Sequence, residues 1–159
     1  MRNIIVTLIV IYSLLLLGCP KASITKAKQS SAKVATYANA GVELTRELYR
    51  SNFLTLAQKD RIADGFISLA NGGLAFDAAV ASAEREFGSD APKVTLEKLI
   101  SVFNSQVVDA FLQVLTSLKV VTAAGNFRTT IELLKTAILA VANSLRIGKD
   151  TQAKIALAT

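Results

Sequence analysis

Residues 56–87 read LAQKDRIADGFISLANGGLAFDAAVASAEREF, and the period of this stretch decides the fold. Ile62, Phe66, Leu69, Gly73, Phe76, Val80, Ala83 and Phe87 recur at spacings of 4, 3, 4, 3, 4, 3 and 4 residues. Spacings that alternate between three and four put every member on one stripe of a helix, as in a coiled-coil seam. Asn71-Gly72-Gly73 lies inside the stretch and, taken alone, reads as a helix stop. The register survives across it, which predicts one helix, kinked at most, with Gly73 letting a neighbour approach closely. Thr55-Leu56-Ala57-Gln58 precedes the seam and has the form of a capping box, in which the Thr hydroxyl and the Gln side chain satisfy free amides at a helix start.

The same period extends to both sides. A first helix over about 31–51 carries Val34, Ala38, Gly41, Thr45 and Leu48 on one stripe and breaks at Ser51-Asn52. After the break Gly88-Ser89-Asp90-Ala91-Pro92, a third helix over about 93–122 carries Leu96, Ile100, Phe103, Val107, Phe111, Val114, Leu118 and Val121 inward. After Ala123-Ala124-Gly125-Asn126, a fourth starts near 127–130 with Ile131, Leu134, Ile138, Val141 and Leu145 as its seam. Thr129-Thr130-Ile131-Glu132 has the form of a second capping box, and Gly148 the place of a C-cap. Residues 149–159 form a short helix or fray. No strand-like alternation of any length occurs. The reading is an all-α protein, an antiparallel bundle of about four helices over residues 32–159, with a non-bundle all-α arrangement as the alternative. Phe66, Phe76, Phe87, Phe103 and Phe111 are the expected core. Gly41 and Gly73 mark either close helix approaches or a cavity between helices. Gln106–Lys119 and Thr136–Leu145 are nearly free of charge, which fits the most buried pair or an interface, and neither is long enough to span a bilayer.

The chain opens on Met1-Arg2-Asn3 followed by an apolar run from Ile4 to Leu17, 14 residues, which ends in Leu16-Leu17-Gly18-Cys19. The run is short for a spanning helix and has the length of a signal-peptide core. Residues 1–20 resemble the export signals of bacterial lipoproteins, whose motif is an aliphatic residue, a variable position, a small residue and Cys. Leu16, Gly18 and Cys19 match, and Leu17 fills the variable position. The resemblance implies cleavage after Gly18, removal of residues 1–18, and a diacylglyceryl group on the Cys19 sulfur with acylation of the new amino terminus. Residues 19–31 would then be a basic tether. Two or more acyl chains hold a protein stably on a membrane. Pro20, where Asp would signal inner-membrane retention, favours the periplasmic side of the outer membrane. An opposing feature is the run of lysines after the apolar segment, which would hold an uncleaved chain in the cytoplasm.

Those lysines also explain the formal charge of +6. Arg2 stands before the apolar run; Lys21, Lys26, Lys28 and Lys33 follow it with no acid until Glu43, and residues 34–159 are left with an excess of one positive charge. A nucleic-acid footprint needs clustered Lys and Arg on the folded body, so no nucleic-acid partner is expected. The tether reads as a solvated spacer or as a segment lying along anionic headgroups.

With no His and one Cys, the usual general base and most transition-metal sites are missing. Glu43 and Glu47, like Asp60 and Asp64, stand four apart among basic neighbours, the pattern of a solvated helix face rather than of a catalytic pair. The sequence therefore predicts no catalytic residues, no cofactor and no metal. It points to a membrane-anchored helical protein with a structural or protein-binding role, partnered by an envelope protein or by itself. Carriage of a lipid or small apolar ligand is the alternative.

Overall fold

The computed structural model describes residues 23–88 and 91–157. These are helical almost throughout, with no strand among them. Helix α1 spans Ile24–Arg50, α2 Leu56–Phe87, α3 Lys93–Val102 and α4 Asp109–Leu118. A π-helical turn, Phe103–Val108, joins α3 to α4 into one rod, and a 3₁₀ segment, Thr122–Phe127, leads into α5, Arg128–Leu145. Helix α6, Lys149–Leu157, closes the chain.

Side-chain contacts fix the topology. Gly41 faces Phe66, and Ala35 faces Gly73, so α1 and α2 are antiparallel. Gly65 faces Val114 and Gly72 faces Gln106, so α2 and the α3–α4 rod are antiparallel as well. The amide of Ser23 donates to Ser144 O at 2.9 Å, which sets the start of α1 against the end of α5. The result is an up-down-up-down bundle. Its near end holds Ser23, Phe87, Lys93 and Leu145. Its far end holds Ser51, Leu56, Leu118 and Arg128.

The seam of residues 56–87 is buried from Ile62 to Ala83. Phe66, Phe76, Phe103 and Phe111 are fully enclosed, as expected. Phe87 is only half-buried at the last turn of α2, and the fifth enclosed ring is Phe127, from the 3₁₀ segment. Phe127 stacks on Phe66 at 5.8 Å between ring centres, and Phe76 meets Phe103 edge-on at 5.2 Å. Offset and edge-to-face contacts of this kind add about 1 kcal/mol each to the burial of the rings.

The Asn71-Gly72-Gly73 step does not break α2. Both glycines are buried contact points. A Cβ on Gly73 would lie 3.1 Å from Ala35 N, and one on Gly72 would lie 2.0 Å from Gln106 O. Gly72 therefore accommodates the backbone of the π turn itself. The π turn has its own cause in the sequence. Leu99, Phe103, Val107 and Phe111 are buried at three successive spacings of four. At 3.6 residues per turn each such step carries a side chain about 40° around the helix. One wider turn absorbs the drift and keeps the row inward. That same adjustment leaves Leu96 and Ile100 half-buried and Leu99 buried at the start of the rod.

Several boundaries differ from the sequence reading. Helix α1 starts at Ile24, capped by the Ser23 hydroxyl, which accepts from Lys26 N. Ile24, Ala27 and Ser31 are buried, so residues 24–31, expected in the tether of 19–31, are the first two turns of the bundle. The rod ends at Leu118 rather than near 122. The Thr55 capping box forms with both bonds in place. The second capping box does not form, because the preceding 3₁₀ segment runs straight into α5 and leaves Thr129 inside the helix. Gly148 is not the C-cap of α5. Arg146 takes the left-handed conformation there (φ 58°), with Arg146 N donating to Asn143 O and Ile147 N to Ala142 O. Asn52 (φ 60°) ends α1 in the same way. After Arg146 the next residue, Ile147, is buried, and that burial offsets the conformational cost of a non-glycine cap; Phe53, after Asn52, is exposed.

Candidate functional site

The near end is closed by polar contacts between α1 and α2. Lys28 Nζ donates to Glu84 Oε2 at 2.6 Å, and Thr25 Oγ1 donates to Glu84 Oε1 at 3.0 Å. One turn further on, buried Ser31 places its hydroxyl within hydrogen-bond distance of Asp77 Oδ1 and Lys28 O. The hydrogen bonds from Lys28 and Thr25 hold the Glu84 carboxyl below its ordinary pKa, against a smaller opposing effect of burial. Lys28 is thus an ion-pair partner within the bundle and not part of a freely solvated basic spacer. Leu16, Leu17, Gly18 and Cys19 lie outside the described residues.

Of the two possibilities raised for Gly41 and Gly73, the geometry is that of close approach. The Phe66 ring fills the space over Gly41, with ring carbons 2.4 to 2.6 Å from where a Cβ would stand, and the Ala35 backbone fills that over Gly73. Thr45, also buried on α1, returns its hydroxyl to Gly41 O at 2.7 Å.

Exposed apolar side chains occur along the bundle, among them Leu74, Leu157 and, at the near end, Val94, and the two recesses lie at the far end. Phe53, Leu56 and Val120 are exposed by 62%, 55% and 63%, and Tyr49 stands partly exposed beside them in sequence, with Lys59 Nζ 5.3 Å from its ring centre. Phe53, Thr122, Ala123, Gly125 and Asn126 line a recess of about 250 Å³. A larger groove of about 540 Å³ runs between α4 and α5. Its walls are Leu112, Leu115, Leu118 and Ile131, with Ala124 and Gly125 from the 3₁₀ segment, while Lys119, Arg128 and Glu132 stand on its exposed rim. Space beyond Gly125 is empty: a Cβ there meets nothing within 4 Å. Sequence reasoning missed this groove. Its residues were read as core seam and loop, and the one available signal was the excess apolar surface of Gln106–Lys119.

The carboxylate pairs behave as a solvated helix face. Glu43 pairs with Arg46, and Asp60 pairs with Lys59 at 2.9 Å. No cluster of three or more His, Cys, Asp or Glu side chains occurs among the described residues. On the π turn, Asn104 keeps Oδ1 buried with no hydrogen-bond partner; Gln106 and Gln113 face solvent. By length and composition Leu56–Phe87 and the rod Lys93–Leu118 could each cross a membrane, a test that core helices also pass. The rod is longer than the apolar stretch 106–119 considered alone.

Comparison of the chain with protein-family models, with curated proteins and with solved structures returns no match.

Proposed function

We propose that the chain is a lipid-anchored protein of a bacterial envelope, acylated at Cys19, that acts by non-covalent binding at the far end of its bundle and not by catalysis. The observation that supports this reading is the set of exposed apolar side chains beside two recesses at the end of the bundle remote from Ser23. Ser23 already caps α1, so only three residues separate that cap from Cys19, a reach of at most about 14 Å. Exposed apolar side chains at Phe53, Leu56 and Val120 stand at the opposite end, about 40 Å away along a helix of 27 residues. An anchor at Cys19 would turn that end away from its own membrane and toward a partner. Apolar residues grouped on an exposed end are the usual mark of a contact with another protein. Pro20 favours the periplasmic face of an outer membrane over the inner membrane.

Growth of the host with an inhibitor of lipoprotein signal peptidase tests the anchor. The expected result is a chain heavier by the uncleaved residues 1–18, with loss of acylation in Cys19→Ser. An unchanged mass together with acyl-free membrane attachment in Cys19→Ser would overturn it. A photo-crosslinking residue at Phe53 tests the binding end. Discrete adducts from position 53 and none from position 93 are expected; the reverse pattern would sink the assignment. The groove between α4 and α5 favours a second reading, carriage of a lipid or small apolar ligand. Such a ligand would sit at the far end and not between the helices at Gly41 and Gly73, where Phe66 and Ala35 leave no room.

A further inference from the structure

We infer that the groove between α4 and α5 binds a single-chain amphiphile carrying one negative charge, its hydrocarbon along the aliphatic walls and its head on the rim. This rests on the second reading above, carriage of an apolar ligand, and is independent of acylation at Cys19. Three observations carry it. The groove is of small-ligand size, about 540 Å³, within the range of concave ligand sites. Leu112, Leu115, Leu118 and Ile131 form its walls without an aromatic side chain, the lining that suits an alkyl chain better than a flat ring. Its rim is charged: Lys119 and Arg128 face Glu132 alone, an excess of one positive charge, and none of the three enters an ion pair within the described residues. A head with one negative charge, whether a carboxylate or a phosphodiester, would balance that excess through charge-assisted hydrogen bonds.

Gly125 supplies a clean perturbation. It lines the groove, and a Cβ added there meets nothing within 4 Å, so Gly125→Trp introduces a bulky side chain at the groove without a clash at its Cβ. The experiment uses the full-length chain in zwitterionic nanodiscs and three photoreactive probes with the same twelve-carbon chain, ending in a carboxylate, a phosphodiester or an alcohol. Labelled sites are mapped by mass spectrometry, which separates groove labelling from labelling in the bilayer. Labelling of peptides within 112–131 by one or both acidic probes is expected, and which of them labels identifies the head. Gly125→Trp should abolish it with an unchanged helical spectrum. The double variant Lys119→Gln/Arg128→Gln should weaken labelling by the acids about tenfold or more and leave the alcohol unaffected. Equal labelling by alcohol and acids would overturn the inferred charge while leaving carriage intact. Labelling outside 112–131, labelling indifferent to Gly125→Trp, or crosslinks across the groove between two copies of the chain would overturn both.

Discussion

Replacing Gly72 by Ala is the sharpest test of the packing. If Asn71-Gly72-Gly73 were merely a weak point in α2, Ala would strengthen the helix by up to about 1 kcal/mol. The structure demands the opposite. The added Cβ would stand 2.0 Å from Gln106 O and 2.8 Å from Gln106 C. Those are backbone atoms in the π turn, so no side-chain rotation relieves the clash, and α2 and the rod must separate. Overpacking of this kind costs about 1–3 kcal/mol, at the upper end when backbone is involved. Against the gain in helix propensity, a net loss of about 2 kcal/mol remains. For a domain of this size that lowers the melting temperature by about 6–10 °C. Urea unfolding followed by circular dichroism on the chain from residue 20 onward measures it. Gly125→Ala, with nothing within 4 Å of its Cβ, is the control and should be neutral or slightly stabilising. A Gly72→Ala variant as stable as that control would refute the contact between α2 and the π turn.

Other outcomes follow from the caps and the near-end contacts. Glu84→Gln should lower the urea midpoint at pH 7, and the deficit should shrink on acidification. The folded pKa of Glu84 is depressed, so its contribution is present above the unfolded value and is lost as pH falls through the folded one; a deficit independent of pH down to 3 would contradict this. Arg146→Gly should raise stability by about 1 kcal/mol, since only glycine occupies the left-handed conformation without penalty; thermal unfolding decides it, and a lower melting temperature would count against the cap. Thr55→Ala should cost about 1 kcal/mol through loss of the hydroxyl that accepts from Gln58 N, whereas Thr129→Ala, inside α5, should cost far less. Comparing their urea midpoints tests the two capping motifs against each other.

How much of this was legible in the sequence varies with the range of the interaction. The seam Ile62 to Ala83 was legible because helical period is local, and so was the Thr55 cap, four residues long. The π turn was visible only as three spacings of four from Leu99 to Phe111, which a reading fixed on Leu96 and Ile100 passed over. The left-handed Arg146 was hidden because composition favours Gly148; the deciding factor, burial of Ile147, is tertiary. Residues 24–31 looked like a spacer because Lys, Ser and Ala dominate them, while their place in the bundle depends on Glu84 and Asp77, more than 45 residues away. The groove was illegible for the same reason. Its two walls come from different helices, and each alone has the pattern of a core seam.

The glycine contacts also bear on alternatives that the chain avoids. An Ala-rich bundle has smooth surfaces, and two such helices could slide past one another by a turn, about 5.4 Å, with little change in apolar burial. Gly41 under Phe66, Gly65 under Val114, Gly72 under Gln106 and Gly73 under Ala35 act as four notches cut to four different teeth. A slide of one turn would bring side chains of α2 onto the Gln106 carbonyl and leave the Phe66 ring without its recess. The glycines thus make one vertical alignment of the helices the only one in which every notch is filled, a mechanical key written in the smallest residue.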